Sequence, residues 1–142
     1  MFIGEYQHSL DEKSRVIIPS KYRERLGNEF VLTKGLDGCL FIYPLSEWVI
    51  FEQKLKNLPL TNTNARKFVR FFLSGAVECT LDKQGRILIP NSLKVYSEIK
   101  KDIVFIGMGN HIEIWSKSKW DTYNDEEVDM ELLASQMEEL GI

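Results

Sequence analysis

Polar and apolar residues alternate in two short stretches of the chain, through Tyr6, His8 and Leu10 and again through Val77, Cys79 and Leu81. A period of two predicts a half-buried strand in each place. A polar connection follows, and then an unbroken aliphatic triplet, Val16-Ile17-Ile18 in one stretch and Ile87-Leu88-Ile89 in the other, closed by Pro19 and Pro90. A triplet that is apolar at every position predicts a strand covered on both faces or lying at an interface. After each Pro comes a short helical segment, SKYRERLG closing on Gly27 and NSLKVYSEI, because Pro suits the first turn of a helix and Gly its exit. Each series ends in a hairpin, FVLTKGLDGCLFIYP or IVFIGMGNHIEIW, that turns on a Gly-containing tetrapeptide.

The two series are copies of one another. The segments LDEKSRVIIP (10–19) and LDKQGRILIP (81–90) share Leu, Asp, Arg, Ile and Pro in register, at an offset of 71. One residue is gained beyond the Pro, so that Gly35, Leu40, Ile42 and Tyr43 align with Gly107, Ile112, Ile114 and Trp115 at an offset of 72, and SEW (46–48) aligns with SKW (118–120). A half of this size, with four short strands and one short helix, leaves apolar edges that need a partner. The expected fold is therefore α+β and β-rich, with two homologous halves closing on each other as a pseudo-twofold barrel. The halves are expected at 5–47 and 76–119, with a helical connection at 48–75 and an acidic C-terminal helix at 120–142. Trp48, Phe51, Leu55 and Leu58 fall at helical spacing in the connection, as do Ala65, Phe68, Val69 and Phe72. Met130, Leu133, Met137 and Leu140 form a third stripe near the end. All three are expected to pack, within the chain or between subunits.

Composition adds little to this picture, but the distribution of charge does. With 44% hydrophobic and 27% charged residues the chain has the profile of a globular protein. No apolar run approaches the length of a membrane span. The opening MFIGEYQHSLDEK lacks the basic lead and apolar core of a secretory signal, and Cys39 and Cys79 stand far apart, so a reduced, cytoplasmic protein is expected. The net charge of −3 conceals an asymmetry: residues 121–142 hold eight acids and no Lys or Arg, which leaves residues 1–120 with all 18 basic residues against 13 acids. A basic body with an acidic tail is compatible with a polyanionic partner.

The polar connection carries the candidate chemistry. Asp11 and Arg15, and likewise Asp82 and Arg86, stand four apart in a tight loop and recur while the residues between them drift from EKS to KQG. A surface ion pair contributes only ~0–1 kcal/mol, and a stable fold has no need to write the same one twice. Asp11 and Asp82 are therefore expected to orient the guanidinium groups of Arg15 and Arg86. A guanidinium presents a flat donor fork suited to guanine O6/N7 and to phosphate. Lys13, Lys83 and Gln84 in the same loops would add phosphate or base-edge contacts. Two such loops related by a pseudo-twofold would offer matched donors to double-stranded DNA.

Rival sites are weaker. GMGN, after IVFIG, lacks the third glycine and following helix of a nucleotide loop. His8 aligns with Cys79 and Cys39 with His111, but no spacing matches a zinc pattern. The acids cluster in the tail, and the two His accompany no nucleophile motif, so neither catalysis nor a metal or cofactor is expected. Arg66, Lys67 and Arg70 are read as the solvent face of an amphipathic helix before they are read as a second DNA contact.

The segments FIGEYQHSLDEKSRVIIPSKYR, FFLSGAVECTLDKQGRILIP and GMGNHIEIWSKSKW together resemble the MraZ family, whose halves are swapped-hairpin units of the SpoVT–AbrB type. The resemblance runs over nearly the whole chain. It implies a nucleoid-associated transcriptional regulator that binds short direct repeats at the promoter of the division and cell-wall gene cluster. It also implies a ring-shaped homo-oligomer, an octamer, with Asp11, Arg15, Asp82 and Arg86 on its DNA-facing surface. Ser14 departs from the Gly usual at that place, which Gly85 retains, and puts the shape of the first loop in question. The alternative class is a non-enzymatic structural or interaction protein whose duplicated barrel and apolar stripe serve only assembly into a ring.

Overall fold

The computed structural model describes all 142 residues. The first half runs through strands β1 (Glu5–Ser9) and β2 (Arg15–Ile17), helix α1 (Ser20–Leu26), and the hairpin of β3 (Glu29–Lys34) and β4 (Leu40–Pro44). Helices α2 (Leu45–Lys56) and α3 (Thr63–Gly75) lead to the second half. There the same order recurs in β5 (Val77–Thr80), β6 (Arg86–Leu88), α4 (Asn91–Ser97), β7 (Asp102–Gly107) and β8 (Ile112–Ser116). Helices α5 (Lys117–Asp125) and α6 (Met130–Met137) end the chain.

The halves exchange strands. Six strands form one antiparallel sheet in the order β1-β7-β8-β4-β3-β5, and β2 pairs with β6 in a separate two-stranded ribbon. Strand β1 thus completes the second half's hairpin, β5 completes the first half's, and β4 meets β8 between them. Each hairpin would have an open edge in isolation, and the exchange covers it with a strand from the other copy. The fold is mixed α+β, built from two units of one repeated architecture, as the duplicated pattern requires.

The hairpin strands are sandwiched. Phe30, Leu32, Leu40, Ile42, Ile103, Phe105, Ile112 and Ile114 point into a core shared with Val16, Ile18, Ile87 and Ile89 from the ribbon. Val31, Phe41, Tyr43, Val104 and Trp115 point the other way, into a second core with Trp48, Leu55 and Phe72 from the connecting helices. Burying an aliphatic or aromatic side chain of this size contributes roughly 1.5–3 kcal/mol, so both layers hold the sheet. Thr33 is the polar exception in the second layer, and its hydroxyl donates to the Phe72 carbonyl at 2.7 Å.

Two expectations are narrowed and one is corrected. The aliphatic triplets are not covered on both faces within the chain: Val16, Ile18, Ile87 and Ile89 are buried, whereas Ile17 is 44% and Leu88 58% exposed. A strand packed on one core must turn its middle residue outward, since neighbours alternate faces. In the connecting helices Trp48, Leu55 and Phe72 are buried, while Phe68 packs edge-on against Phe72 and stays 42% exposed. The acidic C-terminal segment is not one helix: α5 ends at Asp125, and α6 begins after Asp129, whose carboxylate accepts the Glu131 and Leu132 N–H groups as an N-cap. Met130, Leu133 and Leu140 of the last stripe remain exposed, so that stripe does not pack within the chain. No helix is long and apolar enough to cross a membrane.

Candidate nucleic-acid interface

Each loop is built around one carboxylate. In the first, Asp11 Oδ1 accepts the backbone N–H groups of Lys13 at 2.8 Å and Arg15 at 2.9 Å, while Oδ2 accepts Arg15 Nε at 2.8 Å. The backbone closes beneath it, with Ser14 N–H donating to the Asp11 carbonyl and Asp11 N–H to the Arg15 carbonyl. The second loop repeats every bond. Asp82 Oδ1 accepts from Gln84 and Arg86 N–H at 2.8 and 2.9 Å, and Oδ2 accepts Arg86 Nε at 2.8 Å. Asp is the side chain short enough to satisfy its own turn and still reach a residue four positions on.

The turn needs a left-handed residue just before the Arg. Gly85 supplies it at φ 73°, and Ser14 supplies it at φ 61°. The first loop therefore has the same shape as the second, which answers the question raised by Ser14. A non-Gly residue pays roughly 1–2 kcal/mol for this conformation, and Ser14 recovers part of it through Lys94, whose Nζ donates to Ser14 Oγ at 2.7 Å. Gly85 has a different neighbour: a Cβ placed there would meet the Arg23 side chain at its guanidinium.

The loops are locked to each other. Ile18 N–H donates to the Gly85 carbonyl and Ile89 N–H to the Ser14 carbonyl, both at 2.9 Å. In the ribbon Arg15 stands opposite Leu88 and Arg86 opposite Ile17, about Val16 and Ile87. Arg86 Nη1 also lies 3.7 Å from Asp11 Oδ2, with no matching Arg15–Asp82 pair, so Asp11 serves both guanidinium groups. The two arginine side chains are 33% and 22% exposed, held by their Nε edges, and no intramolecular hydrogen bond uses their Nη donors. Lys13, Lys83 and Gln84 are exposed in the same turns.

The Arg15 backbone N–H, and then the Arg15 guanidinium and the Lys13 N–H, hold the Asp11 carboxyl below its usual range. The Arg86 N–H, the Arg86 guanidinium and the Gln84 N–H do the same for Asp82. Both acids are thus ionised wherever the protein is folded near neutrality, and each fixes a cation.

The structure brings all seven sequence-derived residues, Asp11, Lys13, Arg15, Asp82, Lys83, Gln84 and Arg86, into two adjoining loops. It separates them from Arg66, Lys67 and Arg70. Helix α3, which carries those three, packs against the second core, across the six-stranded sheet from the ribbon. Arg66 is also committed to its own helix entrance, donating to the Leu60 carbonyl at 2.8 Å. Two cations beside the loops escaped the sequence reading: Arg23 on α1 and Lys94 on α4, each set against the other half's loop. They align at the same offset of 71, so the repeat itself held the signal.

Comparison with known proteins gives consistent matches. The model of the family described as "MraZ protein, putative antitoxin-like" matches twice, over residues 1–71 and 72–140. A protein of Clostridium acetobutylicum named "Transcriptional regulator MraZ" is 63% identical over 142 residues, covering the whole of both chains. Its namesake in Clostridium tetani is also 63% identical over the full length of both. A third relative of that name, from Alkaliphilus metalliredigens, is 56% identical over 143 aligned residues with complete coverage.

Proposed function

We propose that this chain, which belongs to the MraZ family of transcriptional regulators, binds duplex DNA through the paired Asp-x-x-x-Arg loops and does so sequence-specifically. Its family is one of regulators and not of enzymes. One observation carries the reading: two carboxylates fix two arginine forks by the same bonds, in loops tied together across a pseudo-twofold. An arginine held by its Nε edge keeps its Nη donors for a partner and loses little rotamer freedom on binding. That favours base-edge contact over diffuse attraction. Arg15 and Arg86 read base edges in this account, Lys13, Lys83 and Gln84 hold phosphate or adjoining edges, and Asp11 and Asp82 orient.

The same proposal extends to the assembly and its target. Two short loops make a small footprint, so tight binding calls for several subunits on repeated sites of one duplex. A ring-shaped homo-oligomer, an octamer, on short direct repeats at the promoter of the division and cell-wall gene cluster meets that need and places the protein at the nucleoid. The exposed Leu45, Val49 and Ile50 of α2 and the exposed stripe of α6 offer apolar surface for self-association. In this scheme 5–47 and 76–119 are the two DNA-binding units, 48–75 joins them, and 120–142 is an acidic appendage.

The test is a titration of the DNA upstream of the chain's own gene against a scrambled duplex of equal length, at two salt concentrations. Preference for the upstream fragment, with affinity falling steeply in salt, is the expected result. Equal binding to both duplexes, or none, overturns the reading.

A further inference from the structure

The ribbon that carries the two arginines also turns two aliphatic side chains outward. Ile17 and Leu88 are 44% and 58% exposed, while Val16 and Ile87 between them and Ile18 and Ile89 beyond are buried. The register sets Ile17 opposite Arg86 and Leu88 opposite Arg15. The outer face is therefore a square of four side chains, with the guanidinium groups on one diagonal and the branched aliphatics on the other. Burial does not explain the aliphatics, and a strand exposed on one face ordinarily alternates apolar with polar residues.

Resting on the DNA-binding reading above, we infer that Ile17 and Leu88 are specificity residues that contact the 5-methyl groups of thymines beside the bases read by Arg86 and Arg15. The major groove admits a two-stranded ribbon, and within it the thymine methyl is the apolar group that an aliphatic side chain can recognise. Each aliphatic stands directly across the ribbon from a fixed arginine, at a cross-strand spacing of about 4.5–5.5 Å between Cβ atoms, so the pair can reach adjoining bases. The alternative occupant is a second copy of this face. It is disfavoured by charge, because the two loops with Arg23 and Lys94 hold six cations (Lys13, Arg15, Arg23, Lys83, Arg86 and Lys94) against three acids (Asp11, Glu12 and Asp82), and a face-to-face copy would oppose two net positive surfaces.

The experiment uses the full-length protein and two versions of the fragment upstream of its own gene, one amplified with thymidine and one with deoxyuridine throughout. Deoxyuridine removes the methyl and keeps base pairing. Wild-type protein is expected to bind the uracil fragment more weakly, by about fourfold for each methyl contacted. The I17A/L88A variant is expected to bind the two fragments alike. Both positions are exposed, so its thermal unfolding and native mass should match the wild type. Equal wild-type affinity for the two fragments overturns the methyl contact and leaves DNA binding standing. Unchanged discrimination in the variant overturns it too, by assigning the effect to DNA shape. A variant that changes its oligomeric mass overturns it in favour of a subunit contact, and absence of binding to either fragment overturns both readings together.

Discussion

The two Asp-x-x-x-Arg loops reach one geometry from different residues. The second uses Gly85 in the left-handed conformation and packs Arg23 against it; the first uses Ser14 at nearly the same φ and anchors its hydroxyl to Lys94. The intervening side chains differ, yet the carboxylate makes the same three bonds at the same lengths in both loops, 2.8, 2.9 and 2.8 Å. What defines the loop is therefore an acceptor pair four residues before a guanidinium, with a left-handed residue between them. Glycine is one way to supply that residue, and a serine with a partner is another. The loops also differ electrostatically: Asp11 is close to both arginines and Asp82 to its own alone, and Glu12 of the first loop stands where the second has Lys83.

Removing the forks should have the largest effect. Each of Arg15→Ala and Arg86→Ala is expected to weaken binding to the upstream DNA by roughly 1–3 kcal/mol. Matched loops predict losses of similar size, measured by gel shift or anisotropy. A silent change at either arginine would break the equivalence.

Removing the carboxylates should expose the asymmetry. Asp11→Ala frees Arg15 and also takes the 3.7 Å contact from Arg86, which Asp82 still holds, whereas Asp82→Ala releases Arg86 alone and leaves it that contact, so the first is expected to cost more DNA affinity in the same assay. The reverse order would show that the 3.7 Å contact from Arg86 to Asp11 is idle.

A smaller effect separates the left-handed residues. Gly85→Ala places a Cβ against Arg23 at positive φ and should destabilise the fold by about 1–2 kcal/mol. Ser14→Gly relieves backbone strain but gives up the Lys94 hydrogen bond, and the net change should lie within about 0.5 kcal/mol. Thermal unfolding distinguishes the two.

The smallest effect is the response to acid. Both carboxyls titrate below their usual values in the folded state. Their contribution to stability is therefore fully present above the ordinary Asp value of about 3.9. It is lost as pH falls through the lower folded-state values. Between pH 5 and 8 neither loop should alter the unfolding temperature. Below about pH 4 the wild type should lose stability more steeply than D11N/D82N, as followed by circular dichroism.

Much of this was legible in the chain because duplication writes each constraint twice. The alternation through Tyr6, His8 and Leu10 and its copy located the exchanged strands, and the retained Asp and Arg located the loops. The aliphatic triplets left two readings open, because hydrophobicity alone does not tell a strand sandwiched by two cores from one with a bare face. Strands β3, β4, β7 and β8 are the sandwiched ones, while Ile17 and Leu88 stand outside. The stripe of α6 left packing within the chain or between subunits open for a related reason: spacing marks an apolar face but does not say whether this chain covers it. Arg23 and Lys94 were illegible individually, since a helical cation is ordinary, and only the crossing of each helix to the other half's loop gives them a place.

The central claim is that aimed guanidinium forks, and not positive charge alone, select the DNA. Arg15→Lys with Arg86→Lys keeps both charges and removes both forks. The decisive measurement is the ratio of affinities for upstream and scrambled duplexes, compared between wild type and this double variant. The account predicts that the variant keeps most of its affinity for scrambled DNA while the ratio falls toward one. A ratio that survives the exchange unchanged would contradict it.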